Sequence, residues 1–217
     1  MKIQLETTSA NSNRSFAMLF NPRMSDLFFW HFHPEYELVY IEGANGTRHV
    51  GNHISTYQEN DLVLIGSNIP HLNFDYGVKS NYRKVVAHIK KDFIELHMQP
   101  IPELAEVAQL FERSKYGVAF HGQLKKRIGQ ALFQMEEHPP FQQYLKLLEL
   151  LRTLAKSSEI TLLHEQPFTV RHTHKAQERL QRIYAFVDNN YHRKIELAVI
   201  ASPVSYTHLT LPTILRV

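Results

Sequence analysis

The side chains with the clearest capacity for chemistry are His31, His33, Glu37 and His71, in the segments WHFHPEYELVYIEG and ENDLVLIGSNIPH. Residues two apart on an extended strand point to the same face, so His31 and His33 face one way. Glu37 joins them if that strand continues, and strand pairing must bring in His71. Three imidazoles and a carboxylate in one cavity form either a divalent-metal site or a polar ligand pocket.

The elements that must position these side chains are β-strands. Across residues 1–90, short apolar runs recur between turns rich in Gly and Asn, and no helical stripe of apolar residues is sustained. This pattern favours a sandwich or barrel. Asn45-Gly46 is predicted to be a hairpin turn, because both residues tolerate positive φ.

Beyond about residue 91 the apolar residues take helical spacing. Three amphipathic helices are predicted, around residues 104–111, 124–135 and 144–155. Residues 166–175 are polar and are predicted to be a linker. The sequence therefore divides into a β part and a helical part.

The C-terminal part of the chain is locally basic. Residues 171–195 carry several Lys and Arg side chains but only Glu178 and Asp188 as acids. Such a run is usually a solvated helix face, and phosphate contact by Arg179 or Lys194 is the functional alternative. Residues 203–217 fit neither helix nor strand, and we expect a foreign or disordered tail there.

Composition excludes several classes of protein. The chain has 217 residues, 43% of them hydrophobic, and no Cys, which rules out disulfides and thiolate metal sites. The formal charge of +3 does not by itself establish a nucleic-acid partner. No apolar run approaches the roughly 18 residues of a membrane span, and the N-terminus lacks the apolar core of a signal peptide. These features predict a cytoplasmic protein with no membrane partner.

The segments WHFHPEYELVYIEG and DLVLIGSNIPH resemble the cupin barrel, specifically the N-terminal sensor domain of AraC-type (AraC/XylS) transcription regulators. RLQRIYAFVDNNYHRKIELAVIAS resembles the opening of that family's DNA-binding domain. The resemblance implies an α+β fold with four parts: a cupin-like barrel (1–90), a helical dimerisation region (91–165), a linker (166–175) and an incomplete helix-turn-helix domain (176–202).

The resemblance implies a ligand-responsive transcription regulator and not an enzyme. Its effector is expected to be a small, polar, sugar-like molecule bound by His31, His33, Glu37, His71 and Asn73. The first four occupy the positions that hold metal in metal-binding cupins, so Zn, Ni, Mn or Fe and a metal-free pocket both stay open. In this family the helical region pairs two subunits, and we expect a homodimer through the stretch Leu145–Leu154. The chain stops before the family's recognition helix, so specific DNA binding is expected of a full-length protein and not of this chain.

The chain departs from the general cupin pattern around the last histidine. Asn60, Gly66, Asn68 and Asp75 stand where that pattern has Gly, Pro, Gly and Asn. Asn tolerates left-handed backbone, so the turns can form. Two alternatives remain: a metal-dependent cupin enzyme, such as a dioxygenase or isomerase, and a stand-alone sensor module.

Overall fold

The computed structural model describes residues 4–6 and 13–168, which form two β-sheets and three α-helices. The five-stranded sheet runs in the order β1 (Gln4–Leu5), β3 (Trp30–Phe32), β8 (His71–Leu72), β5 (Gly46–Val50) and β6 (His53–Tyr57). The six-stranded sheet runs β11 (Ile160–Leu162), β10 (Val118–Phe120), β7 (Asn60–Ile65), β4 (Tyr36–Glu42), β9 (Arg83–Ile89) and β2 (Phe16–Phe20). The α-helices are α1 (Ala105–Ser114), α2 (Gly122–Gln134) and α3 (Pro140–Ala155). Shorter helical turns cover Phe93–Met98, Pro102–Leu104 and Met135–Glu137. The predicted mixed α+β class is confirmed.

Both faces of the six-stranded sheet are buried. Leu38 and Leu64 lie on the face that packs against the helices. Their neighbours Val39 and Val63 lie on the opposite face and pack with Val50 of the other sheet. Because alternate residues on these strands serve two cores, the strands appear in the sequence as nearly continuous apolar runs. The interior between the sheets is therefore one core, and the helix layer is a second.

The hairpin predicted at Asn45-Gly46 is wrong. β4 pairs with β7 and β9, whereas β5, which begins at Gly46, pairs with β6 and β8 in the other sheet. The connection therefore crosses between sheets. Its left-handed residue is Gly43, with φ 77°, and a Cβ there would lie 2.9 Å from the Asn81 carbonyl oxygen. Local turn preference does not determine which sheet the chain enters next.

The helical region contains three helices close to the predicted positions and two strands that were not predicted. β10 pairs with β7, and β11 pairs with β10, so both extend the six-stranded sheet. Each has three residues, which is too short to show a clear alternating pattern. Residues expected to be purely helical therefore supply part of the sheet.

The leucine stripe of α3 packs into the chain's own core. Most leucines of the stretch predicted as a dimer face are buried in the cluster between helices and sheet: Leu147, Leu150, Leu151 and Leu154. Only Leu145, 50% exposed, keeps a substantial outward surface within this stretch, and Phe141 at the start of α3 is 70% exposed. The prediction is therefore wrong for the buried leucines, because an amphipathic stripe does not distinguish a core from an interface.

Several predictions fall on the remainder of the chain. Residues 169–175 of the predicted linker, the helix-turn-helix segment 176–202 with Arg179 and Lys194, and the tail 203–217 lie outside the described residues. Within the part that is described, no helix is long and apolar enough to cross a membrane.

Candidate metal centre

The structure brings His31, His33, Glu37 and His71 together in the interior between the sheets. His31 lies on β3, His33 follows that strand, and Glu37 lies on β4. The strand does not continue from His33 to Glu37, because β3 and β4 belong to different sheets. The chain crosses between the sheets at Pro34, and both inner faces then point into the same space.

Strand pairing brings in His71, as expected. β8 runs antiparallel to β3, with His71 opposite His31, and their ring centroids are 4.2 Å apart. One donor atom from each of the four residues lies within 4.8 Å of the others. All four side chains belong to residues no more than 5% exposed. These four residues are called the metal cluster below.

One carboxylate oxygen organises the metal cluster. Glu37 Oε2 lies 3.2 Å from His33 Nε2 and 3.3 Å from His71 Nε2. Neighbouring donor atoms around an ion with bonds of about 2.1 Å lie roughly 3.0–3.4 Å apart in octahedral or tetrahedral geometry. The observed spacing therefore matches an edge of such a coordination shell.

Backbone carbonyls fix the orientation of three imidazole rings. The Nδ1 atoms of His31, His33 and His71 lie 2.9, 3.2 and 2.8 Å from the carbonyl oxygens of Phe29, Glu35 and Ile69. A carbonyl only accepts hydrogen bonds, so each Nδ1 carries the proton, and a neutral ring then presents the Nε2 lone pair to the cluster. When all three rings are neutral, their Nε2 lone pairs and the carboxylate form a set of acceptors with no donor. A divalent ion suits this arrangement, and a backbone contact to Nδ1 is the usual support of a metal-binding histidine.

The pKa directions describe the same cluster without an ion. Burial, together with the nearby His71, lowers the pKa of His31 to about 3, which keeps this ring neutral. Burial acts in the same direction on His33, but the contact with the Glu37 carboxylate outweighs it and raises the pKa of His33. Burial alone would raise the pKa of Glu37, yet His71 and the other histidine contacts hold it well below its usual range. The ion-free cluster thus keeps Glu37 ionised and favours a proton on His33.

Two acid–base residues next to the metal cluster were missed in the sequence. His88 on β9 lies opposite Glu37, with its Nε2 3.1 Å from Glu37 Oε2. Glu6 follows β1, and its Oε2 lies 3.3 Å from His31 Nε2. The alternation Lys84, Val86, His88 places His88 on the inner face, but the sequence does not give the register that aligns it with Glu37.

Asn73, two residues after His71, has backbone partners in the segment before β3. Its Nδ2 donates to the Met24 carbonyl at 2.8 Å, and its Oδ1 accepts from the Phe29 backbone N–H at 3.3 Å. The amide therefore ties down the chain segment before β3. A contact between Asn73 and an effector stays a prediction.

The chain matches no protein-family model and no curated protein. Among solved structures it is similar to ToxT from Vibrio cholerae O395 bound to (E)-4-(8-methylnaphthalen-1-yl)but-3-enoic acid, with 14% identity, 91% of this chain and 74% of that chain covered, and a TM-score of 0.43. It is also similar to unsaturated fatty acid bound wild-type ToxT from Vibrio cholerae strain SCE256, with 15% identity, 89% and 70% coverage, and a TM-score of 0.45. Similarity of this degree assigns neither a fold nor a function to the chain.

Proposed function

We propose that this chain carries the sensor domain of an AraC-type, ligand-responsive transcription regulator, and that the domain binds a divalent metal ion through His31, His33, Glu37 and His71. The observation that carries the metal site is the set of converging Nε2 and carboxylate oxygen atoms within 4.8 Å. The regulator assignment rests on the resemblance of the barrel segments and of residues 179–202 to that family.

The donor chemistry limits the choice of metal. Imidazole suits Zn²⁺, Fe²⁺ and Ni²⁺, and the Glu37 carboxylate also permits Mn²⁺. When bound, the ion supplies a Lewis-acidic centre for oxygen atoms of a small, polar, sugar-like effector. The protein's own contribution is to hold the rings of His31, His33 and His71 by backbone contacts and to exclude water.

The C-terminal part of the sequence supports sensing over catalysis. Residues 179–202 resemble the opening of a helix-turn-helix domain, which a cupin enzyme does not need. We therefore propose a non-enzymatic, cytoplasmic regulator, with the metal-dependent dioxygenase or isomerase and the stand-alone sensor module as the alternatives.

Regulation requires that the effector bind two states of the protein with different affinity. In the proposed regulator, effector binding to the sensor domain changes how the DNA-binding part packs against it. Arg179 and Lys194 then contact DNA phosphates. A gel-shift at increasing salt concentration tests these phosphate contacts, which should make DNA binding weaken as the salt concentration rises. DNA binding that does not change with salt would contradict them.

The proposed homodimer uses the outward surface of α3. Phe141 and Leu145 are four residues apart on this helix and are 70% and 50% exposed. Sedimentation should show a dimer for the wild type and a monomer for the double variant F141D/L145D, with Q142D as the control at an exposed neighbour on the same helix. A wild-type monomer at micromolar concentration would remove the dimer from the proposal.

The test of the metal site is calorimetric titration of chelator-treated protein with Zn²⁺, Ni²⁺, Fe²⁺ and Mn²⁺. We expect one ion per chain in the wild type and loss of binding in H71A, with H49A as the control outside the cluster. A thermal-shift screen of sugars, with and without the ion, then tests the effector. Absence of binding by every ion would leave the metal-free polar pocket, and turnover of an effector by the loaded protein would favour the enzyme.

A further inference from the structure

His88 extends the metal cluster beyond the four residues of the sequence pattern. It lies on β9, in register with Glu37 on β4, so the two side chains are direct cross-strand neighbours on the inner face. Its Nε2 is 3.1 Å from Glu37 Oε2, the oxygen that also contacts His33 and His71. The contact made by His88 is the shortest of these three.

Within the described residues, Glu37 is the only hydrogen-bonding partner of the His88 side chain. His88 is 2% exposed, and its Nδ1 is buried with no hydrogen-bond partner among residues 4–6 and 13–168. Because Nδ1 has no partner there, Nε2 is the atom through which the ring makes its polar contact, and it faces the carboxylate oxygen that organises the metal cluster.

His88 also belongs to a second group of donor atoms, which shares one residue with the metal cluster. Donor atoms of Glu6, His33 and His88 lie within 4.8 Å of one another, and the ring centroids of His33 and His88 are 4.8 Å apart. His33 therefore belongs to both sets. His33 and Glu37 are thus the two residues of the metal cluster that His88 contacts.

We propose that His88 is a further ligand of this metal site, which makes the donor set four imidazoles and the Glu37 carboxylate. The inference rests on the proposed metal site. A fourth imidazole shifts the preference of the site toward Ni²⁺, Fe²⁺ and Zn²⁺ and away from Mn²⁺, which favours oxygen ligands. His88 is thus a selectivity residue as well as a ligand.

The test uses Co²⁺ as the probe, in the whole chain. X-ray absorption of the Co²⁺-loaded wild type should count four coordinated imidazoles, and H88Q should show three. Loss of a second-shell group alone typically costs about 10- to 100-fold in metal affinity, so H88Q should weaken Co²⁺ binding by at least about tenfold. The H88Q variant should also discriminate less against Mn²⁺, so the ratio of the Mn²⁺ to the Ni²⁺ dissociation constant should be smaller than in the wild type. H49Q, on β5 and outside the cluster, should match the wild type.

The outcomes separate this inference from the proposed function. If the wild type binds no Co²⁺, the metal site itself fails, and the role of His88 fails with it. If the wild type binds Co²⁺ with three imidazoles, or if H88Q keeps wild-type affinity and spectrum, only the inference about His88 is overturned. If H88Q does not fold, the imidazole count in the wild type decides.

Discussion

Glu37 lies directly opposite His88 across the β4–β9 pair, and its Oε2 is 3.1 Å from His88 Nε2. The same oxygen lies 3.2 Å from His33 and 3.3 Å from His71. A single buried carboxylate oxygen therefore contacts three imidazole rings that belong to separate parts of the chain. This makes Glu37 the residue on which the geometry of the metal cluster depends.

Replacing Glu37 with Gln should abolish most metal binding. The amide is nearly the same size but carries no charge, so the ion loses its one anionic ligand among the four residues of the cluster. We expect the affinity to fall by more than the roughly 10- to 100-fold typical of a second-shell loss. Calorimetric titration measures it, with E42Q as the control at the other end of β4. An E37Q variant that binds as well as the wild type would show that the ion does not contact this carboxylate.

The sequence predicts those features of the metal cluster that depend on residue spacing within one strand or on the pairing of adjacent strands. His31 and His33 share a face, and pairing does bring His71 to His31. Glu37 joins the histidines without a continuous strand, because the chain changes sheets at Pro34. The periodicity of a strand cannot reveal that the strand has ended and that the next one faces it from another sheet.

His88 and the leucines of α3 show a second limit. The run containing His88 is one of the short apolar runs of residues 1–90, which favour strands, but its register against β4 is a tertiary property. Leu147 and Leu151 were recognised as an apolar stripe, but whether such a stripe is a core or an interface depends on what lies opposite. Both cases concern partners that are distant in sequence, which local residue patterns do not specify.

Asp75 should be essential for stability although it lies outside the metal cluster. It is fully buried, forms an ion pair with the buried Lys84, and accepts hydrogen bonds from the Tyr82 hydroxyl at 2.6 Å and the Met24 N–H at 2.8 Å. D75N leaves Lys84 buried without its counter-charge, which should cost about 3–5 kcal/mol of unfolding free energy. Urea denaturation measures this.

The matched control for Asp75 is D26N. Asp26 also pairs with a lysine, Lys79, but both side chains are at least 80% exposed. An exposed pair contributes little, so the change should stay within about 1 kcal/mol. Equal effects of D75N and D26N would show that burial does not strengthen the dependence of Lys84 on Asp75.

Asp61 should make the protein less stable as the pH rises from about 4 to 6. Burial raises the pKa of Asp61 from 3.8 to about 6, although Arg48 lies 3.3 Å away and acts in the opposite direction. The folded protein thus holds this proton more tightly than the unfolded chain, so stability is highest below the unfolded pKa and falls until the folded pKa is passed.

The measurement for Asp61 is the unfolding free energy of chelated wild type minus that of D61N, at several pH values. This difference should decrease between about pH 4 and pH 6 and then level off. Taking the difference cancels the titration of the histidines that both proteins share. A difference that is constant with pH would mean that Arg48 fully compensates for the burial of Asp61.

Gly129 allows α2 to approach the six-stranded sheet, and G129A should destabilise the protein. A Cβ at this position would lie 2.1 Å from a ring carbon of Tyr40, which is only 1% exposed and packs against Phe133. Ala is favoured over Gly in a helix interior by about 1 kcal/mol, whereas overpacking a core costs about 1–3 kcal/mol. Because the clash involves the body of a buried ring, the packing cost should dominate. Urea denaturation should show a net loss of about 1 kcal/mol or more in the free energy of unfolding.

The control is Q130A, at the exposed neighbour on the same helix, which should change the free energy of unfolding by less than about 0.5 kcal/mol. Equal or higher stability of G129A would mean that the ring of Tyr40 moves aside at little cost.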